Sequence, residues 1–163
     1  MPWEGGAPAV IADLPAPIVF GAGGPDGVHL LLHGEGAAEG WVVPEGGAPH
    51  AEAAGLVIPA PRGPFRLLAV LEASRLVLRV LPGGAAIEAA AMLPQWLDGR
   101  RFAYVGADSR YRVRDAESGA ETILAAPGRP FQWASIGPDG KTVYFTLPVG
   151  HVTRHLIANF AER

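Results

Sequence analysis

The chain has 163 residues, no cysteine and a net charge of −3. This length suffices for one domain with a real core, and the missing cysteines exclude disulfides and thiolate metal sites. A pI near 5.9 gives no electrostatic footprint for nucleic acid.

Glu4-Gly5-Gly6-Ala7-Pro8 opens the chain with a phrase repeated at Glu45-Gly46-Gly47-Ala48-Pro49, so residues 9–13 are expected to form a strand that follows a turn. Pro17-Ile18-Val19-Phe20 is the first strand of a full unit, and Gly24-Pro25-Asp26-Gly27 is a tight turn before the apolar run 28–33. Trp41-Val42-Val43 and 48–53 follow as third and fourth strands around Gly46-Gly47. The second unit has strands at 57–59, 64–71, 75–80 and 85–92, turning at Arg62-Gly63 and Pro82-Gly83-Gly84. The third has them at 95–97, 100–105, 111–114 and 120–125, turning at Asp98-Gly99 and Ser118-Gly119. The fourth has 131–133, 141–146 and 154–160 around Gly137-Pro138-Asp139-Gly140.

The glycines of the first turns, Gly27, Gly63, Gly99 and Gly140, stand 36, 36 and 41 residues apart. Gly47, Gly83 and Gly119 form a second ladder, each 20 residues after its partner. A repeat of about 40 residues with several short strands per unit marks a propeller blade. Gly (22) and Pro (16) make up nearly a quarter of the chain, against a usual share of roughly 12%, as many tight turns require. The second strands are apolar on both faces, as in Leu30-Leu31-Leu32 and Val143-Tyr144-Phe145, which fits a sheet packed between two neighbours. Residues 84–93 (GAAIEAAAML) have helical propensity, but their place in the repeat predicts a strand.

The fold class expected is all-β: one propeller segment over 1–163, of about four four-stranded antiparallel blades near 15–53, 54–93, 94–126 and 127–163, after an incomplete N-terminal strand within 1–14. The ends are out of phase with whole blades. Either strand 9–13 completes the last blade, or the chain is an open arc of a larger ring; the abrupt start favours the arc.

Trp133, Pro138-Asp139-Gly140-Lys141-Thr142-Val143-Tyr144-Phe145 and, one unit earlier, Trp96, Asp98-Gly99-Arg100-Arg101-Phe102-Ala103-Tyr104 and Asp115-Ala116-Glu117-Ser118-Gly119 resemble the TolB-like (WD40-like, PD40) propeller repeats. The resemblance is good over roughly 94–160, and over 15–93 it lies only in spacing, turns and apolar runs. It implies a non-catalytic scaffold that binds proteins or peptides. The alternative it implies is the substrate-gating propeller of a prolyl-oligopeptidase-like serine peptidase, without its hydrolase domain in this chain. Missing blades or an attached domain of a longer parent chain are compatible with both. A ligand-binding propeller enzyme with its site in the central channel is a third reading.

The residues point to no catalytic, cofactor or metal site. Gly21-Ala22-Gly23-Gly24 reads as a turn: Asp26 stands where a dinucleotide loop needs its third glycine, and a strand follows where it needs a helix. His29 and His33, like His151 and His155, are four apart; on a strand that is about 13 Å, too far for one ion, so ordinary packing and surface roles are expected. Ser74, Ser109, Ser118 and Ser135 lack a nucleophile-elbow setting. Asp26, Asp98 and Asp139 read as turn residues, and Trp96, Trp133, Phe131 and Tyr104 as packing between blades. Partner contacts are expected on the rim shared by loops 34–40, 72–74, 106–110 and 147–151 and loops 92–95 and 125–130, with Gln95, Asp108, Arg110, Arg129 and His151 as its polar residues. No uninterrupted apolar run reaches the length of a spanning helix. Met1-Pro2-Trp3-Glu4 lacks the basic start of a signal peptide, and periplasmic and cytoplasmic settings both remain compatible.

Overall fold

Short β-branched and leucine-rich runs cut by glycine turns favour antiparallel hairpins over helices. A computed structural model describes residues 13–33, 38–72, 75–90, 92–126, 133–137, 142–149 and 152–159, and all its regular elements are strands. The first sheet contains β1 (Ile18–Gly24), β2 (Gly27–His33), β3 (Ala38–Val43) and β4 (His50–Ala53). The second contains β5 (Leu56–Pro59), β6 (Arg66–Glu72), β7 (Arg75–Leu81) and β8 (Ala86–Ala89). The third contains β9 (Gln95–Trp96), β10 (Arg101–Val105), β11 (Tyr111–Asp115) and β12 (Glu121–Ala125). The fourth contains β13 (Trp133–Ile136), β14 (Thr142–Val149) and β15 (Val152–Asn159). Each sheet is an antiparallel meander in chain order; three have four strands and the last has three. Among the described residues no hydrogen-bonded ladder closes the sheets into a ring, and one isolated bridge, Ala89 to Gly106, links two of them. The architecture is all-β and open.

The Ala-rich stretch is strand, but only over Ala86–Ala89; Met92 N then bonds Ala90 O, which turns the chain. The glycine run 21–24, expected as a turn, is instead the second half of β1, in register with Gly27–Leu30. An extended backbone needs no side chain to pair, so the turn begins only at Pro25-Asp26. Strand 9–13 was expected ahead of it; residues 9–12 lie outside the described residues, and Asp13 is in no strand. Gly27 has φ +142°, and a Cβ there would meet the Val43 carbonyl. On β3, a Cβ on Gly40 would fall on the Gly55 carbonyl oxygen. Both sites require glycine because backbones approach there.

Strand alternation builds the core. On β10, Phe102 and Tyr104 join Leu56, Ile58, Leu67, Leu78 and Ile87 of the second sheet. Ala103 and Val105 point the other way, onto Ile136, Val143 and Phe145 of the fourth. Trp96 meets Phe102 edge-on at 5.4 Å between centroids, and its indole N–H donates to Ile58 O at 2.9 Å. Trp96 and Tyr104 thus pack between sheets as expected, while Phe131 and the Trp133 side chain lie outside the described residues. On the first sheet, Leu30, Leu32 and Val43 are covered by Leu14 and Ala16.

Phe102 is fully buried between two sheets. Phe102→Ala should therefore cost about 3–5 kcal/mol in chemical denaturation and lower the thermal midpoint by about 10 °C. Ile123→Ala, half-exposed on β12, should change it by about 1 °C or less. Equal shifts for the two would show that the third sheet does not pack on the second.

Candidate functional site

Antiparallel meanders send alternate hairpins to opposite ends of a stack of sheets. One end collects the β2–β3, β6–β7 and β10–β11 hairpins and the segments joining successive sheets; the other collects the β1–β2 and β3–β4 type turns. The glycine and aspartate turns of the repeat lie at the second end. There Asp98 accepts from the Arg100 and Arg101 backbone amides and pairs with Arg101. Asp115 accepts from the Ser118 amide and hydroxyl and from Arg100 Nε, and these bonds, Arg100 foremost, hold its carboxyl well below the usual range. Asp98 and Asp115 are turn residues with satisfied carboxylates. Asp139 lies outside the described residues.

The first end carries an apolar cavity of about 220 Å³. Val19 and Phe20 of β1, Leu31 and His33 of β2, Leu56 of β5, Leu71 and Leu76 beside the β6–β7 turn, and Met92 and Leu93 of the next connection line it. Two sheets and the segment that joins the second to the third thus contribute. Val19 and Phe20 are nearly half exposed and Leu71 is 62% exposed. Val19 protrudes because the β1–β2 register slips between Ile18 and Phe20, a bulge that re-aims a side chain.

Beside the cavity, the β8 end is tied to the β10–β11 hairpin through Ala90 N to Val105 O and the Ala89–Gly106 bridge. A polar cleft lined by Glu88, Tyr104, Asp108, Arg112 and Glu121 opens there. Arg112 grips Asp108 with both terminal nitrogens, at 2.5 and 2.6 Å, which lowers the Asp108 carboxyl to about 2. Tyr104 donates its hydroxyl to Glu121 at 2.6 Å; burial, with this bond, pushes its pKa well up.

Of the residues expected on this rim, Asp108 and Arg110 sit on the β10–β11 hairpin, both exposed, and pair with each other at 3.5 Å. Gln95, also exposed, accepts from Ile136 N at 3.2 Å and so bridges the third and fourth sheets. Arg129 and His151 lie outside the described residues. Val19, Phe20 and Leu71 were not anticipated; Met92 and Leu93 fall in loop 92–95, where partner contacts were expected, but were not named. The one signal for them is the pair of apolar residues Leu71 and Leu76 beside a hairpin tip, where polar residues are usual.

Among the described residues no three His, Cys, Asp or Glu side chains converge as a metal site, and no helix is long and apolar enough to cross a membrane.

Arg112→Met should move the Asp108 carboxyl upward from about 2 toward the ordinary 3.8, read by carbon-detected NMR titration. The sign follows from the depressed value: the pairing acts above the ordinary carboxylate range and is lost as pH falls toward about 2. An unmoved titration would show that the Arg112 fork does not hold Asp108.

No family model matches the sequence, and no curated protein does. Solved structures do. A putative TolB from Agrobacterium tumefaciens is 23% identical, with a TM-score of 0.60 over 93% of this chain and 61% of its own. TolB from Acinetobacter baumannii is 14% identical, with a TM-score of 0.60 over 92% of this chain and 43% of its own. The chain spans less than two thirds of either protein. At this identity the likeness shows the fold, and it is that of the TolB β-propeller.

Proposed function

We propose that this chain is a non-catalytic scaffold that binds a protein or peptide through the rim bearing the apolar cavity. The observation that carries the reading is the cavity itself: it is apolar, walled by two blades, and lipped by exposed Phe20, Val19 and Leu71. Small-molecule sites usually run to ~300–1,000 Å³ with a few convergent polar groups. This cavity is smaller and has His33 as its one ionisable lining residue. Its size suits one large apolar side chain presented on a peptide. Asp108 and Arg110, exposed on the same rim, supply charged neighbours for the flanks of such a segment. A large apolar patch at the mouth of a rigid scaffold is a usual mark of an interaction site.

Selection of short random peptides by display against the purified chain tests the reading. Enriched peptides should share an apolar anchor and bind in fluorescence anisotropy. Leu71→Asp should weaken them about tenfold or more, the transfer energy of one leucine-sized contact. Its thermal midpoint should hardly change, because Leu71 is mostly exposed. No enrichment, or peptides that bind the variant equally well, would overturn the proposal.

A further inference from the structure

At the opposite end of the seam between the first two blades lies a ring of four ionisable side chains. His29 of β2 is fully buried. Its Nδ1 stands 2.7 Å from Glu52 Oε2 on β4, and its Nε2 stands 2.9 Å from Asp26 Oδ1 in the β1–β2 turn. Arg66 of β6, in the next blade, closes the ring: Nη1 is 3.2 Å from Glu52 Oε1 and Nη2 is 3.2 Å from Asp26 Oδ2. These three are the charged groups that face His29 from the elements packed around it; β3 opposes it with Val42, and Pro59 of β5 stands beside Gly24.

An ionised carboxylate only accepts hydrogen bonds, and a neutral imidazole has one N–H. With a carboxylate at each ring nitrogen, both bonds form only if both nitrogens carry hydrogen. The imidazolium and the Arg66 guanidinium together then balance the two carboxylates; His29 is the fully buried member, while Asp26 and Arg66 reach solvent. A neutral His29 would turn a bare lone pair toward one carboxylate. That carboxylate is also one of the two that hold Arg66, which is the ring's sole member from the second blade.

We propose that His29 is a proton-operated latch on the seam between the first two blades, closed while the imidazole carries two protons and released when it loses one. Its contribution is present at lower pH and disappears as pH rises and His29 deprotonates. Asp26 acts in the opposite sense. The His29 bond, first among several causes, holds its carboxyl below the usual range. Its contribution is therefore present above the ordinary carboxylate range and fades as pH falls through the lowered one. The seam is tightest between these limits. Alternation on β2 puts His29, Leu31 and His33 on one face, so the latch and the cavity wall share a single strand.

Long-range nitrogen–proton NMR on the wild-type chain reads the proton count directly. At about pH 6 both His29 ring nitrogens should show N–H character. As pH is raised until His29 deprotonates one should lose it, while hydrogen exchange of the β2 and β5 amides speeds up in parallel. Over the same range the thermal midpoint of the wild type should fall by about 3 °C or more beyond that of His29→Gln, and His33→Gln should keep the wild-type fall. A single-proton tautomer of His29 at about pH 6 would overturn the proposal. So would seam amides whose protection ignores its titration. The spectroscopic and exchange readings need no variant, so they decide the matter even if His29→Gln does not fold.

Discussion

The structure depends on strands that are apolar on both faces. A hairpin sheet with one greasy face can float its other face in water, but β10 cannot: Phe102 and Tyr104 need cover on one side and Ala103 and Val105 on the other. A sheet of this kind is stable only between two neighbours. Backbone hydrogen bonds run almost entirely within sheets, so side-chain burial must hold the sheets together. Among the described residues few polar links cross the seams: Ala90 N to Val105 O, the Trp96 indole to Ile58 O, Gln95 to Ile136 N, and Arg66 to Asp26 and Glu52. A net hydrogen bond contributes about 1 kcal/mol, whereas one buried aromatic contributes several. Apolar packing therefore sets the stack, and the polar links fix how neighbouring blades align.

From this follows the contrast between the two ends. In the third blade the end with the repeat's turns is finished locally: Asp98 and Asp115 close their own loops with backbone amides and nearby arginines. Such loops need nothing from outside. The other end is assembled from different blades, and its connections do not repeat. There the β1 bulge, the Leu71–Leu76 hairpin and Met92-Leu93 leave apolar surface uncapped. The scaffold is regular where the sequence repeats, and its candidate binding surface lies where it does not.

This contrast also governs what can be read from the sequence. Blade turns and second strands were legible because period-2 burial and positive-φ glycines are local properties, as at Gly27, Gly63, Gly83 and Gly119. Position in the repeat also overruled the helical propensity of 84–93 correctly. The run Gly21 to Gly24 misled, since glycine is as compatible with a strand beside a close backbone as with a turn. His29 looked like an ordinary packing residue. Its partners lie 3, 23 and, through the ring, 37 residues away, and no local pattern signals that they converge. The cavity was illegible for the same reason: its walls come from two blades, from residues as far apart as Val19 and Leu93.

Strand β2 shows how tightly the parts are bound together. Its odd positions, His29, Leu31 and His33, face the second blade; its even positions, Leu30 and Leu32, face Leu14 and Ala16. A slip of one residue against β3 would exchange the two sets. It would place leucine between two carboxylates and histidine under the N-terminal segment. The charge ring therefore adds to what leucine packing asks of the register: a misplaced leucine costs packing, and the slip would also take the imidazole from Glu52 and Asp26. On this view the buried histidine does two things with one geometry. It specifies which face of β2 meets the second blade, and it makes the tightness of that meeting depend on a single proton.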